Sequence, residues 1–320
     1  MGWSMIILTR GEIEALIDCN AAAKAIEAAY IATSLGHVDL PTVGHITFAH
    51  DADCHIKYGH MQGDETFVIK VATGFPQNNA KGLPVGNGLV LVLSAKTGLV
   101  EAVLHDEMML TDIRTGIGGA IASRTLGRSN SRTALVIGTG PQARRQIEAH
   151  AALMPDLSFQ VWGRDPVKVD SVIADMAPHI DVNPASDLET ATRSADIVVT
   201  ATGSKSPIVK SAWVQPGTHV TAVGADAPCK QELDVALVAR ADIVSVDLAS
   251  QCLNHGEISH AAREGLIKAD NLRQIGAVLN GATHGRDGED QITLTDLTGI
   301  AAQDIAMANT ILAAWKTQVQ

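Results

Sequence analysis

The sequence predicts an α/β fold: a Rossmann-type doubly wound parallel sheet plus a separate α+β domain. Three observations predict it. From Thr133 onward, short apolar runs alternate with amphipathic helical segments, the pattern of a parallel sheet with helices on both faces. One of these runs, Ala134-Leu-Val-Ile137, passes directly into Gly138-Thr139-Gly140. Between Val38 and Val103 the hydrophobic period is instead two, with glycine-rich turns between segments, which describes an antiparallel sheet.

Taken in order, Thr9–Leu35 is helical in pattern, with Thr9 and Glu12 spaced as a capping box. Ile13, Leu16 and Ile17 form one stripe and Ile26, Ala29 and Tyr30 another, so the segment reads as a packing helix pair. Strands are expected at Cys54–Tyr58, Phe67–Ala72, Leu89–Ser94 and Val100–His105. Thr111–Leu126 is a helix rich in small residues (Gly116, Gly118, Gly119, Ala120, Ala122), a surface that another backbone can approach, and it reads as the link between domains. The alternating region places strands at Thr133–Ile137, Ser158–Trp162, Asp196–Ala201, His219–Val223 and Asp242–Val246. Its helices fall at Pro141–Met154, Pro166–Met176 and Ser186–Arg193, and Trp213–Gly217 is a turn. A last helix, about Ile300–Trp315, carries the stripe Ile305, Ala308, Leu312 and is expected to return to the first domain. The expected division is 1–120 with 297–320 against 121–296.

Composition narrows the partners. The chain has 320 residues, 46% of them hydrophobic and only 3% aromatic, so Ala, Val, Ile and Leu must fill a large core. A net charge of −11 without any Lys/Arg cluster argues against nucleic acid or an anionic membrane and for a small-molecule partner. Cys19, Cys54, Cys229 and Cys252 are scattered, with no CxxC, which fits a reducing compartment. The apolar run Met5–Leu8 is too short for a signal peptide, and no stretch approaches the roughly 20 apolar residues of a membrane span. The expected location is cytoplasmic.

The glycine turn carries the first chemistry. Gly138 permits a tight turn, Gly140 lets backbone approach a pyrophosphate, and Ala143 allows close helix–strand packing. Pro141 suits the first helical position, and the helix start beyond it favours an anion. Arg164 ends the second strand of this region, where a basic residue favours the 2′-phosphate of NADP and an acid favours NAD; Asp165 follows it directly, so both signals are present. Elsewhere, Lys70 sits inside the apolar run Phe67–Ala72, where an ammonium needs a charged partner or an anionic ligand. Arg114 heads the glycine-rich helix, with Asp112 and Glu107 as local salt-bridge candidates. Asp226 follows Thr221-Ala-Val-Gly-Ala225, at the carboxyl end of a sheet strand, where it serves either a ligand or a helix cap. No paired Cys/His metal set and no HExxH is present, and His50, His55 and His60 recur at a spacing that suits neither one helix face nor one strand face.

Together these residues resemble the ornithine cyclodeaminase/μ-crystallin family. The matching motifs are Lys70-Val-Ala-Thr-Gly-Phe-Pro-Gln-Asn78, the Gly82-Leu-Pro84 and Asn87-Gly88 turns, Leu110-Thr-Asp-Ile-Arg114-Thr115, Gly138-Thr-Gly-Pro-Gln-Ala143, Thr221-Ala-Val-Gly-Ala-Asp226 and Gly299-Ile-Ala-Ala-Gln-Asp304. They run from about residue 40 to the C-terminus. The resemblance implies a homodimer whose first domain, completed by the C-terminal helix, binds substrate and makes the dimer contact. The middle domain would hold NAD(H) or NADP(H) through Gly138, Thr139, Gly140, Pro141, Gln142, Ala143, Arg164, Thr200, Thr202 and Gly224. Lys70 and Arg114 would bind a substrate carboxylate, Lys70 also assisting proton transfer, and Asp226 would be the acid/base at the substrate nitrogen. One departure bears on the substrate: where ornithine cyclodeaminases carry an arginine shortly after a proline, Leu40-Pro41-Thr42-Val43-Gly44-His45 offers Val43. Strand alternation puts His55 and Lys57 on one face, so Lys57 is a replacement cation or an exposed strand lysine, and His45 a nearby donor. The expected activity is reduction of a small α-imino acid, such as iminosuccinate, to an amino acid. Ornithine cyclodeaminase, an amino-acid dehydrogenase and a non-catalytic crystallin-like binder are the alternatives, and no metal is expected.

Overall fold

The computed structural model describes residues 5–177 and 179–318. The chain divides into two compact units, Met1–Arg114 with Ile300–Gln320, and Thr115–Gly299.

The first unit is built on one seven-stranded sheet. Its strands are β1 (Ile6–Thr9), β2 (Val38–Asp39), β3 (Gly44–Thr47), β4 (Asp53–Met61), β5 (Thr66–Gly74), β6 (Gly86–Ser94) and β7 (Val100–His105), in the order β1-β7-β6-β5-β4-β2 with β3 also on β4. Pairing from β2 to β7 is antiparallel, as the period of two predicts. β1, absent from the sequence reading, adds to β7 in parallel, so the sheet is not purely antiparallel. The expected helix pair is α1 (Arg10–Glu14) and α2 (Cys19–Ser34). Glu12 accepts from the Thr9 backbone N–H at 2.8 Å and from the Thr9 hydroxyl at 2.7 Å, and Asp18 caps α2 through the Asn20 and Ala21 amides. The C-terminal helix, Ala301–Gln318, packs on α2 and on β4 and β5, burying Ile305, Ala308 and Leu312. Its first turn thereby brings Gln303 and Asp304 to that sheet.

The second unit holds an eight-stranded, wholly parallel sheet. Its strands are β8 (Thr133–Ile137), β9 (Ser158–Trp162), β10 (Val182–Pro184), β11 (Ile197–Thr200), β13 (His219–Ala222), β15 (Ile243–Val246), β16 (Leu272–Gln274) and β17 (Thr293–Asp296), ordered β10-β9-β8-β11-β13-β17-β15-β16. β12 (Lys205–Val209) and β14 (Gln231–Leu233) form a separate parallel pair. The helices α3 (Met109–Leu126, from Thr115), α4 (Pro141–Leu153), α5 (Pro166–Met176), α6 (Leu188–Ser194), α7 (Val235–Arg240), α8 (Ala249–Cys252), α9 (Gly256–Arg263) and α10 (Ile275–Leu279) complete it. Leu135, Ile137 and Val198 enter one core cluster while Ala134, Val136, Ile197 and Val199 enter another, so alternate residues of near-continuous apolar strands feed both faces. The small-residue surface of α3 serves α4: a Cβ on Gly116 would lie 2.5 Å from the Arg145 carbonyl oxygen.

β17 was not legible. It lies between β13 and β15, yet reads Thr-Leu-Thr-Asp. Its polarity is absorbed by long-range partners: the Thr293 hydroxyl donates to the Leu126 carbonyl at 2.9 Å and meets His219 Nδ1 at 2.8 Å. Burial pushes His219 down to about 3, so the ring is neutral within this network.

Candidate active site

In the second unit, β8 adjoins both β9 and β11, and the chain leaves β8 outward to β9 before returning to β11. This reversal of direction opens a crevice at the carboxyl ends of β8 and β11. A cavity of about 630 Å³ lies there, bounded by Gly138, Thr139, Gly140, Arg164 and Thr202 among others. Gly138 has φ +136°, and a Cβ on it would lie 2.5 Å from the Ala201 carbonyl oxygen, so only glycine allows this approach of β8 to β11. Gly140 is the N-cap of α4 with Pro141 at the first position, and nothing lies within 4 Å of where its Cβ would be, leaving the helix start open to an anion. A tight glycine cradle, an open helix N-terminus and a crevice of this volume fit a dinucleotide pyrophosphate.

Other residues expected at the cofactor lie elsewhere. Thr200 is fully buried and its hydroxyl donates to Glu232 at 2.7 Å; Gly224 N–H donates to the same carboxylate at 2.9 Å, and Thr202 N–H at 2.6 Å. Thr200 and Gly224 therefore do not line the cavity but are held by Glu232, which no sequence motif marks. Ala143 is buried against β8 in the packing role its motif position requires. Pro141 and Gln142 also lie outside the cavity lining. Asp226 is in the loop after β13 and caps no helix; it pairs with Lys230 at 2.5 Å and is partly exposed.

The first unit gathers charge. Lys70, in the middle of β5, is 2% exposed and lies 3.1 Å from Asp304 Oδ2 and 3.2 Å from its Oδ1. Arg114 reaches the same carboxylate, Nε to Oδ1 at 3.3 Å, and donates from Nη1 to Gln303 Oε1 at 3.1 Å. Both of these partners belong to the C-terminal helix. Gln303 is fixed in turn, donating to the Tyr30 hydroxyl at 2.9 Å and to the Arg114 carbonyl at 3.2 Å. Lys57 stands directly opposite Lys70 in the β4–β5 register and is 7% exposed, which removes the alternative of a solvated strand lysine. Asp106, just after β7, is buried and accepts from Leu110 N–H at 2.8 Å.

Three buried cations thus share Asp304. Burial pushes Lys70 down to about 7, Arg114 and Lys57 add to that, and Asp304 opposes it. Burial raises the Asp304 carboxyl, but Lys70, Arg114 and Lys57 outweigh it and hold the group below its usual range. Arg114 Nε and Asp304 Oδ2 have ion-pair contacts without hydrogen-bond geometry and stay unsatisfied. Local sequence gives Asp304 no visible counter-charge, because its partners Lys70 and Arg114 lie about 190 or more residues earlier in the chain.

His45 is exposed and stacks on His55, its register partner, with ring centroids 4.4 Å apart; His55 Nε2 lies 3.2 Å from Asp53. Among the described residues this trio has ligand atoms within 4.8 Å of one another, so the partners that could join His55 at a metal ion are His45 and Asp53, not His50 or His60.

A parallel sheet with a glycine-turn cavity at its switch point defines a Rossmann-type dinucleotide-binding protein. More particularly, residues 4–318 match the ornithine cyclodeaminase/mu-crystallin family, and the chain belongs to it. The alanine dehydrogenase of Archaeoglobus fulgidus is 37% identical over 311 residues, 96% of this chain and 94% of that protein. The iminosuccinate reductase of Paracoccus denitrificans is 31% identical, over 96% of each chain; its structure in complex with NAD+ superposes with a TM-score of 0.88 at 29% identity, covering 98% of this chain and 97% of that one. An archaeal alanine dehydrogenase dimer with bound NAD gives a TM-score of 0.91 at 32% identity, covering 99% of this chain and 97% of that one. No helix of the described residues is long and apolar enough to cross a membrane.

Proposed function

We propose that the protein is an NAD(P)H-dependent imine reductase that converts a small α-imino acid into an amino acid, with a dicarboxylic imine such as iminosuccinate as substrate. The observation that carries this reading is the convergence of Lys70 and Arg114 on Asp304 with Lys57 facing Lys70, three buried cations gathered at one place. Membership of a family that includes an iminosuccinate reductase supports it.

Lys70 and Arg114 bind the α-carboxylate and fix the orientation of the C=N bond. Lys57, and beyond it on the same face of the sheet His45, receive the second carboxylate. Asp226 is the acid/base assigned to the imine nitrogen, its carboxylate taking the proton it passes on from the Lys230 ammonium that it is paired with. When bound, the reduced nicotinamide supplies a hydride to the α-carbon. Lys70, poised near neutrality, also has a proton to exchange with the bound substrate.

The apolar side chains of Ile46, Phe48, Tyr58, Leu83 and Val85 are exposed on the first unit and are the surface through which it would form a homodimer. Light scattering after gel filtration reads that state.

The decisive assay follows nicotinamide oxidation with oxaloacetate plus ammonia, then with pyruvate plus ammonia. Faster turnover with oxaloacetate and formation of aspartate are expected. Equal or better turnover of the monocarboxylic imine removes the dicarboxylic assignment, and no oxidation with any keto acid and amine removes the imine reductase. Proline formed from ornithine without net cofactor turnover would identify a cyclodeaminase instead.

A further inference from the structure

We propose that the cavity in the second unit selects a dinucleotide carrying a 2′-phosphate, NADP(H), and that Arg164 and Lys205 are the selecting residues. This rests on reading the cavity as a dinucleotide site. In parallel-sheet dinucleotide sites the end of the second strand meets the adenosine ribose: a carboxylate there accepts from the 2′-hydroxyl of NAD, whereas an arginine accommodates the 2′-phosphate of NADP. This chain has both residue types in succession, Arg164-Asp165, immediately after β9 and Gly163.

The structure separates them. Asp165 is the N-cap of α5, its Oδ1 accepting from Val167 N–H at 3.1 Å, so its carboxylate is committed to the helix start and does not line the cavity. Arg164 does line it, and forms no ion pair among the described residues. Lys205, at the start of β12, lines the same cavity, with Ser204 and Ser206 on either side of it. Among the described residues, no Asp or Glu borders the cavity. A site with two cations and no carboxylate lacks the acidic acceptor that the ribose hydroxyls of NAD meet in such sites. It has instead the planar donor fork that binds a phosphate dianion through two parallel hydrogen bonds, with a second point charge beside it.

Isothermal titration of the full-length protein with adenosine 2′,5′-bisphosphate and with adenosine 5′-monophosphate tests this without nicotinamide or turnover. The bisphosphate is expected to bind roughly 10- to 100-fold more tightly, the worth of one or two charge-assisted hydrogen bonds. Arg164→Ala should remove most of that gap and Lys205→Ala part of it, leaving the monophosphate affinity within about twofold, and the gap should shrink as salt is raised. Both side chains are exposed, so the variants should fold, which the unfolding temperature checks. Equal affinity for the two nucleotides overturns the proposal, as does an Arg164→Ala variant that weakens both alike. Binding of neither nucleotide overturns the dinucleotide reading of the cavity along with it.

Discussion

The two units each bury a cluster of charge and resolve it in opposite ways. In the second unit the buried charged groups are acids, among them Glu232, Glu257 and Asp296. Each is answered by backbone. Glu257 accepts from the amides of Glu232 at 2.6 Å and Leu233 at 3.0 Å, Asp296 from Ile258 at 3.0 Å, and Glu232 from Thr202 and Gly224. Burial, then Asp296 and Glu232, pushes Glu257 up to about 9, and burial likewise raises Asp296 and Glu232. Backbone amides, not cations, meet these acids, and their work is to pin β14, α9 and the loops behind the cavity. In the first unit the buried groups are mainly cations, and neither Arg114 nor three closely spaced positive charges can be settled by backbone amides. Asp304 pairs with Lys70 and Arg114 and its charge also acts on Lys57, while Arg114 Nε and Asp304 Oδ2 are left without a hydrogen bond. Burial of charge alone therefore does not mark a ligand site. An unbalanced sign with unsatisfied atoms does.

Lys70 is where this contrast would break most sharply. Lys70→Met keeps the apolar stem and removes the charge, and kcat/KM for the imino acid should fall roughly 10²- to 10³-fold, the cost of breaking a buried charge pair. Cofactor affinity, measured separately by titration, should not move. Ordinary turnover in this variant would show that the cluster is structural, like the acids of the second unit.

Asp304→Asn tests the same contrast through stability. Three buried cations would lose their shared counter-charge, and urea unfolding should report a loss of about 3–5 kcal/mol. A loss under about 1 kcal/mol would mean that Lys70 is already neutral in the unliganded protein.

The pH dependence follows from Lys70. With its ammonium near 7, substrate carboxylate binding above that pH requires uptake of a proton, so KM should rise by up to about tenfold per pH unit above about 7 and level off below it. Asp304→Asn removes an attraction that holds the proton on Lys70, so the limb should shift to lower pH in that variant. A KM unchanged through this range would remove Lys70 from the carboxylate site.

Much of the frame was legible because its signals are local. Val100–His105, Thr133–Ile137, Ser158–Trp162 and Pro166–Met176 begin and end where period and turn residues place them. What escaped notice depends on partners far away in the chain. β17 reads as polar until His219 and Leu126 meet Thr293. Lys70 visibly needed an anion, but its anion lies 234 residues on, in a helix whose periodicity announces only packing. Asp165 and Arg164 could not be ranked until the start of α5 claimed one of them. For the charge clusters, the sequence thus displays the demand and hides the supplier.

The acids of the second unit offer the mildest and most discriminating test. Glu257 has a folded-state value near 9 against an unfolded value near 4.5, so between those values the unfolded chain binds fewer protons than the native one. Its contribution to stability is then complete below about 4.5 and lost as pH rises toward about 9. Wild-type protein should be destabilised by about 1–3 kcal/mol between roughly pH 5 and 8, Glu232 and Asp296 sharing the titration. Glu257→Gln, neutral throughout and still able to accept one of the two amides, should flatten that slope while costing little at the acid end. If the variant instead loses as much stability as Asp304→Asn at every pH, Glu257 is a charged anchor and not a protonated one. The two clusters would then share one principle, with backbone amides in the second unit standing where lysines and an arginine stand in the first.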